Sequence, residues 1–150
     1  MNIRNVLTIL YFVLTVYSFS DGLVHSVANY PSWKLISAED FPAVHKYVNS
    51  RIFIVYVPFF FLSVVANIFL IWFHPPTIST TLVVIAAILN LFIWVLTATM
   101  AIQTHKQLDK AKSIELIDRL MKVHLYRLIP GFLLMIVTAL MMYQVVSATS

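Results

Sequence analysis

The chain is 150 residues long, 61% hydrophobic and only 11% charged, with a net charge of +4 and no cysteine. This length leaves room for one domain, residues 1–150, and for no separate soluble module. The absence of cysteine excludes disulfides, iron–sulfur clusters and thiol redox chemistry. Because the basic residues flank apolar segments, the positive charge indicates contact with membrane lipids and not with nucleic acid.

Four apolar stretches follow one another along the chain. The first, from about Val6 to Ala28, is interrupted only by Asp21, and helix one is predicted from about Arg4 to Asn29. Residues 52–105 carry no Lys, Arg, Asp or Glu and are divided in two by Pro75-Pro76, and the tail 128–150 is also uncharged. About 20 apolar residues span the hydrocarbon core as a helix, and the alternation typical of barrel strands is absent. The sequence therefore predicts an all-α, four-helix transmembrane bundle.

The connectors carry their own signals. Tyr30-Pro31 is predicted to end helix one. Asp40, as an N-cap, and Pro42 predict a short interfacial helix before helix two. Apolar periodicity over residues 113–127 predicts a fourth helix that extends beyond the membrane into the cytoplasm. Two ion pairs of i,i+4 spacing are expected on that extension: Glu115 with Arg119 and Asp118 with Lys122.

Basic residues predict the orientation. Arg4 is the only one on the side of the termini, whereas the two longer connectors and their flanks carry nine. These nine are Lys34, Lys46, Arg51, Lys106, Lys110, Lys112, Arg119, Lys122 and Arg127. By the positive-inside rule, the connectors are expected in the cytoplasm and both termini outside it.

Helix one carries a polar stripe. Ser18, Asp21, His25 and Asn29 are spaced by three or four residues and so share one helix face. An ionisable side chain within a span normally faces the bundle interior, so this stripe is expected inside, with Asp21 paired to Arg127, His25 or a bound cation. Asp21 and Arg127 are the candidate catalytic residues, and Arg127 is expected to hold an anionic or oxygen-bearing group.

Four histidines fall near the connector end, one for each helix. His25, His45, His105 and His124 are expected to meet there and are the candidate metal ligands, for iron, zinc or copper, or for a haem. No HxxxH or ExxH spacing occurs within a helix, so the ligands would come from separate segments. The alternative is a metal-free pocket in which Asp21 or a histidine is the general base.

Aromatic residues are read mainly as membrane-belt anchors. They are Tyr30, Trp33, Tyr47, Tyr56, Trp72, Trp94, Tyr126 and Tyr143. Trp94 lies deeper than the others and is a candidate for the wall of a pocket.

An ordered set of residues resembles a known family. It consists of Tyr30-Pro31, Phe41 with His45, Pro58, Trp94 with Thr99 and Gln103, His105 with Leu108, and Leu120 with Arg127. Over residues 22–140 the chain resembles a bacterial family of four-helix membrane proteins related to the anthrone-oxygenase-like domains of unknown function. The resemblance implies a four-helix membrane bundle, oxygenase-like chemistry on an aromatic, polyketide-type substrate, and Trp94 and Gln103 as candidate cofactor-binding residues.

The chain also departs from that family pattern. Ser26 and Asn29 stand where the family has Gln and His, a Glu expected near Leu62 and Ser63 is missing, and His124 replaces an Asn. These changes fall on polar positions, so no catalytic role is transferred from the family to a single residue.

Two functional hypotheses follow. The first is a metal-dependent, oxygenase-like oxidoreductase of the bacterial inner membrane, with a site at the cytoplasmic end and an apolar substrate that enters from the bilayer. The second is a non-catalytic membrane module that binds a lipid or a partner protein. A homo-oligomer is compatible with either, and a transporter is less favoured because ionisable groups gather at only one end.

Overall fold

The computed structural model describes residues 2–148, which form four long helices. They are α1 (Ile3–Trp33), α2 (Phe41–Phe73), α3 (Thr80–Leu108) and α4 (Ile114–Ser147). Each is long and apolar enough to cross a membrane, and the described residues contain no strand. The predicted all-α, four-helix transmembrane architecture is therefore confirmed. The predicted fourth span reached Ser150, and residues 149 and 150 lie outside the described part.

The helices form a ring in which each one packs against its neighbours. Helix α4 packs along α1 and α3, and α2 contacts α1 and the first half of α3. Two apolar clusters fill the interior. One, near the chain termini, includes Tyr11, Leu70 and Met141, and the other, near the long connectors, includes Trp33 and Leu120. The polar residues of α1 and α4 lie between these two clusters along the chain. They therefore have an apolar cluster towards each end of the bundle.

Helix α1 does not end at Tyr30-Pro31 as predicted but continues to Trp33. Proline has no N–H to donate to the preceding turn. Just before it, residues His25–Asn29 form a π-helical turn, in which the Tyr30 N–H donates to the His25 carbonyl. A second π turn occupies Thr97–Ala101 in α3. Both widened turns lie at the connector end, where such bulges often mark functional sites.

The predicted interfacial helix is not a separate element. Residues from Phe41 onward belong to the continuous helix α2, which passes through Pro58. Asp40 precedes the first helical residue as predicted, but it makes no side-chain cap, because its carboxylate accepts a hydrogen bond from Ser37 Oγ at 2.6 Å. Ser113 does cap α4, since its Oγ accepts from the Leu116 N–H at 3.2 Å.

The two ion pairs expected on α4 are not formed. Asp118 contacts Lys34 at 2.5 Å, across the bundle end, in place of its neighbour on the same helix. Among the described residues, no ion pair within 4.0 Å involves Glu115. Lys112 is also engaged across the bundle end, since its ammonium donates to the carbonyls of Lys34 and Ile36. The start of α4 is thus held by an ion pair and hydrogen bonds to the end of α1, and not by ion pairs within α4 itself.

Candidate functional site

A cavity of about 470 Å³ lies between α2 and α3 at the connector end. Its rim is apolar and open, since Phe53 is 66% exposed and Trp94 and Ile102 are each 45% exposed. Its inner wall is polar and includes Asp21, His25, Tyr56, His105, His124 and Arg127. A molecule that entered between these apolar side chains would meet polar groups on the inner wall, and Lys106 and Asp109 at the connector end of the cavity.

A hydrogen-bonded chain closes the cavity on the connector side. The buried ring of His45 joins Asp109 to His105: His45 Nδ1 lies 2.8 Å from Asp109 Oδ1, and His45 Nε2 lies 3.2 Å from His105 Nδ1. His45 comes from α2, whereas His105 lies in the last turn of α3 and Asp109 follows the helix directly, four residues after His105.

The direction of this chain follows from the donors available. A carboxylate only accepts, so His45 Nδ1 carries the proton, and the Nε2 of the neutral ring accepts from His105 Nδ1. His105 is then left with an unprotonated Nε2, which makes no hydrogen bond to another described residue. Because His105 lines the cavity, this ring nitrogen is available to a bound molecule as a base or a ligand.

The polar stripe of α1 faces inward as predicted. Asn29 Nδ2 donates to His25 Nδ1 at 2.7 Å, and His25 Nε2 lies 3.5 Å from Asp21 Oδ2. Of the three partners considered for Asp21, which were Arg127, His25 and a bound cation, His25 is the one in contact. No ion pair within 4.0 Å joins Asp21 to Arg127 in the described part of the chain.

The guanidinium of Arg127 instead contacts two uncharged groups. Its Nη1 donates to His124 Nε2 at 3.0 Å, and its Nη2 donates to the Tyr56 hydroxyl at 3.3 Å. The other ring nitrogen of His124, Nδ1, lies 3.4 Å from Ser26 Oγ. Both nitrogens of His124 are therefore engaged by protein groups.

Two aromatic side chains separate the histidines into pairs. The Tyr30 ring lies 5.5 Å from His25, 4.8 Å from His124 and 6.1 Å from His105, measured between ring centroids. Trp33 packs at 4.8 Å on the ring of His45. Both are buried, 3% and 2% exposed, so their assignment to the membrane belt is wrong.

The predicted cluster of four histidines is therefore two pairs. His25 lies near His124, and His45 is bonded to His105. Among residues 2–148, no group of three His, Asp or Glu side chains is placed to hold a metal ion. In three of the four rings both nitrogens contact protein groups, so in this arrangement they do not fit a shared metal or a haem iron. Metal ligation stays a prediction.

The two candidate cofactor-binding residues do not lie on the same surface. Trp94 lines the cavity as expected, whereas Gln103 is exposed and does not lie on its wall. Sequence reasoning missed Tyr30, Tyr56 and Asp109. For Asp109 a signal was present, since it lies four residues after His105 and so on the same helix face.

No family model, curated protein or solved structure matches the chain. The resemblance to the anthrone-oxygenase-like domains consequently stays a prediction.

Proposed function

We propose that the protein takes an apolar, oxygen-bearing molecule from the bilayer into this cavity and acts on it as an oxygenase-like oxidoreductase. The observation that supports the proposal most directly is the cavity itself, with an open apolar rim and a polar inner wall. Ligand sites commonly combine apolar walls with a few convergent polar groups, in volumes of about 300–1,000 Å³.

The polar groups have distinct roles in this proposal. Arg127 and Tyr56 supply donors for an oxygen atom of the bound molecule. His105 Nε2 accepts the proton of a hydroxyl group placed beside it, as a general base. Asp109 and His45 are positioning residues, because they act only through His105. Loss of that proton converts an aromatic hydroxyl into a phenolate, which dioxygen, the co-substrate of an oxygenase, oxidises more readily than the neutral hydroxyl.

For the location, we propose the bacterial inner membrane, with both long connectors in the cytoplasm and both termini outside it. The nine basic residues around these connectors support this orientation. Fusing a periplasm-sensitive reporter to either terminus, and a cytoplasm-sensitive one to the α3–α4 connector, tests it. Fusions in which both reporters are expressed but inactive would contradict it.

The binding step can be tested through Trp94, which lines the cavity. The probe is 1,4-naphthoquinone, an apolar aromatic molecule with two carbonyl oxygens that quenches tryptophan fluorescence. We expect saturable quenching of the detergent-solubilised protein, lost in Trp94→Phe and kept in Trp72→Phe, because Trp72 is 78% exposed on the outer surface. Arg127→Gln is expected to weaken binding, and Arg119→Gln, on an exposed part of the same helix, is the matched control. Quenching that rises linearly and equally in all variants would reflect detergent partitioning and refute the proposal.

The oxidoreductase part requires a separate measurement. Elemental analysis and an optical spectrum of tag-free protein purified without chelator would show about one equivalent of a transition metal, or a haem band, in a metal-dependent enzyme. Loss of that metal in His105→Ala would assign it to the cavity.

A second candidate function is a lipid-binding module without catalysis, favoured by the hydrogen bonds that already occupy three of the four histidines. Saturable naphthoquinone binding by a metal-free, redox-inactive protein would select it.

A further inference from the structure

Arg127 is a cation inside a membrane span, and among the described residues no carboxylate contacts it directly, although Asp21 interacts with it electrostatically through space. Its guanidinium contacts only the neutral groups of His124 and Tyr56. Among the described residues no carboxylate lies within 4.0 Å of it, and Asp21, which lines the same cavity, contacts His25 instead. An unpaired charge is costly in a bilayer, and charged residues in spans usually pair or bind a ligand.

A second, smaller pocket lies inward of Arg127, towards the middle of the bundle. Its volume is about 40 Å³, and its polar lining includes Ser18, Ser63, Asn90 and Arg127. It shares Tyr56, Phe60, His124 and Arg127 with the large cavity, so the two spaces adjoin at these side chains. No Asp or Glu lines it. A water molecule needs about 10–15 Å³ by the same measure, so this space accommodates one small ion with water, or the polar tip of a larger molecule.

The buried polar atoms in this region are short of acceptors. Five buried side-chain atoms of the described residues lack a hydrogen bond of good geometry, and all five carry a hydrogen to donate, although the Asn90 amide also interacts with the Tyr11 hydroxyl. They are Tyr11 Oη, Ser18 Oγ, Asn67 Nδ2, Asn90 Nδ2 and Arg127 Nε. Three of the residues, Ser18, Asn90 and Arg127, line the small pocket, and Asn90 is only 4% exposed. Buried donors are normally satisfied, so this set calls for an acceptor.

We infer that the small pocket is an anion-binding site, in which Arg127, Asn90 and Ser18 hold a monovalent halide or the anionic oxygen of a molecule in the large cavity. The guanidinium supplies the charge, and the amide and hydroxyl supply donors without a competing carboxylate. Occupancy by a free anion is independent of the function proposed above, whereas occupancy by the anionic group of a bound molecule rests on it.

The test is thermal unfolding of the detergent-solubilised protein at constant ionic strength, with sodium bromide replacing sodium gluconate. An anion present at ten times its Kd multiplies the folded fraction relative to the unfolded by about eleven, which raises Tm by about 4 °C for a chain of this size. We expect a saturable rise in the unmodified protein and in Arg119→Gln, and none in Arg127→Gln. Arg127→Lys should keep part of the rise, because it keeps the charge.

A parallel titration separates the two sources of the anion. Octanoate carries a carboxylate on an apolar tail, and octanol carries the same tail without charge. A bromide effect assigns the site to free anions, whereas an Arg127-dependent effect of octanoate alone assigns it to the charged group of an apolar ligand.

If Arg127→Gln does not fold, Asn90→Ala and Ser18→Ala should each weaken the response. The inference is overturned if no anion gives a saturable shift or if the shift is the same in all variants. Bromide binding without naphthoquinone binding would refute only the proposed function.

Discussion

The Asp109–His45–His105 chain makes its sharpest prediction for Asp109→Asn. In the unmodified protein the carboxylate accepts from His45 Nδ1 at 2.8 Å, and this fixes the proton positions along the chain. The amide introduced by the substitution offers both a carbonyl oxygen and an NH2 group, and in the orientation in which the NH2 group faces His45 it donates to Nδ1. The chain would then reverse, since His45 Nε2 would carry the proton and donate to His105 Nδ1. His105 Nε2 would become the protonated nitrogen, and the cavity would lose its base.

The cost in stability can be estimated from the same geometry. A hydrogen bond to a charged group contributes about 1.5–3 kcal/mol, and Asp109 is 37% exposed, so water replaces part of it. We expect the free energy of unfolding to fall by about 1.5 kcal/mol, equivalent to about 3–6 °C in Tm. The matched control is Asp118→Asn, which breaks an exposed pair with Lys34 and should cost less than about 1 kcal/mol.

Histidine ¹⁵N NMR reads the tautomers directly, in protein labelled at its imidazole nitrogens. Assignment uses His105→Gln, which removes one set of signals. The expected result is a switch of His105 from the Nδ1-protonated to the Nε2-protonated tautomer in Asp109→Asn and no switch in Asp118→Asn. An unchanged His105 tautomer in Asp109→Asn, with equal Tm losses in both variants, would refute the reasoning.

Three further predictions concern packing and the bundle end. Gly131→Ala should raise the free energy of unfolding by up to about 1 kcal/mol, because the added methyl lies 3.5 Å from its nearest neighbour and alanine favours the helix, as thermal unfolding would show. Trp33→Ala should lower it by about 3–5 kcal/mol and Trp72→Ala by less than about 0.5 kcal/mol, since only the first is buried. Lys112→Met should speed tryptic cleavage after Lys34, because the ammonium no longer binds the backbone there, and a time course on gels measures this.

Each of these outcomes can fail separately. A loss of stability in Gly131→Ala would mean that the helices approach more closely there than the structure describes. Equal losses for the two tryptophan variants would contradict the inward position of Trp33. Unchanged cleavage in Lys112→Met would show that the lysine does not fasten the connector.

The four spans were predictable because lipid leaves the chain few alternatives. A span in hydrocarbon must satisfy its backbone groups internally, so an apolar run without charge over residues 52–105, divided by Pro75-Pro76, becomes two helices. The local rule that a proline ends a helix failed at Pro31, because a π turn re-pairs the backbone and packing buries Trp33. Local propensity is a weak guide where tertiary packing decides.

The site was predictable only in part, for the same reason. The spacing of Asp21, His25 and Asn29 placed them on one inward face, because helical periodicity is a property of one segment. The division of the histidines into pairs depends on how neighbouring helices are rotated, which no single segment encodes. Gln103 and His105 lie about 200° apart around an ideal helix, so the two side chains face nearly opposite sides of α3 and do not line the same side of the cavity.

The position of the cavity opening along α3 determines which half of a bilayer the opening would face. Trp94, on the rim, lies about 21 Å from the start of α3 at 1.5 Å per residue, and the opening extends from there to the connector end. In a membrane whose hydrocarbon core is about 30 Å thick, an opening confined to this half of α3 would face the acyl chains and headgroups of one leaflet only. Molecules in that leaflet would therefore have direct access to the cavity. A molecule in the opposite leaflet would have to cross the membrane before it could bind.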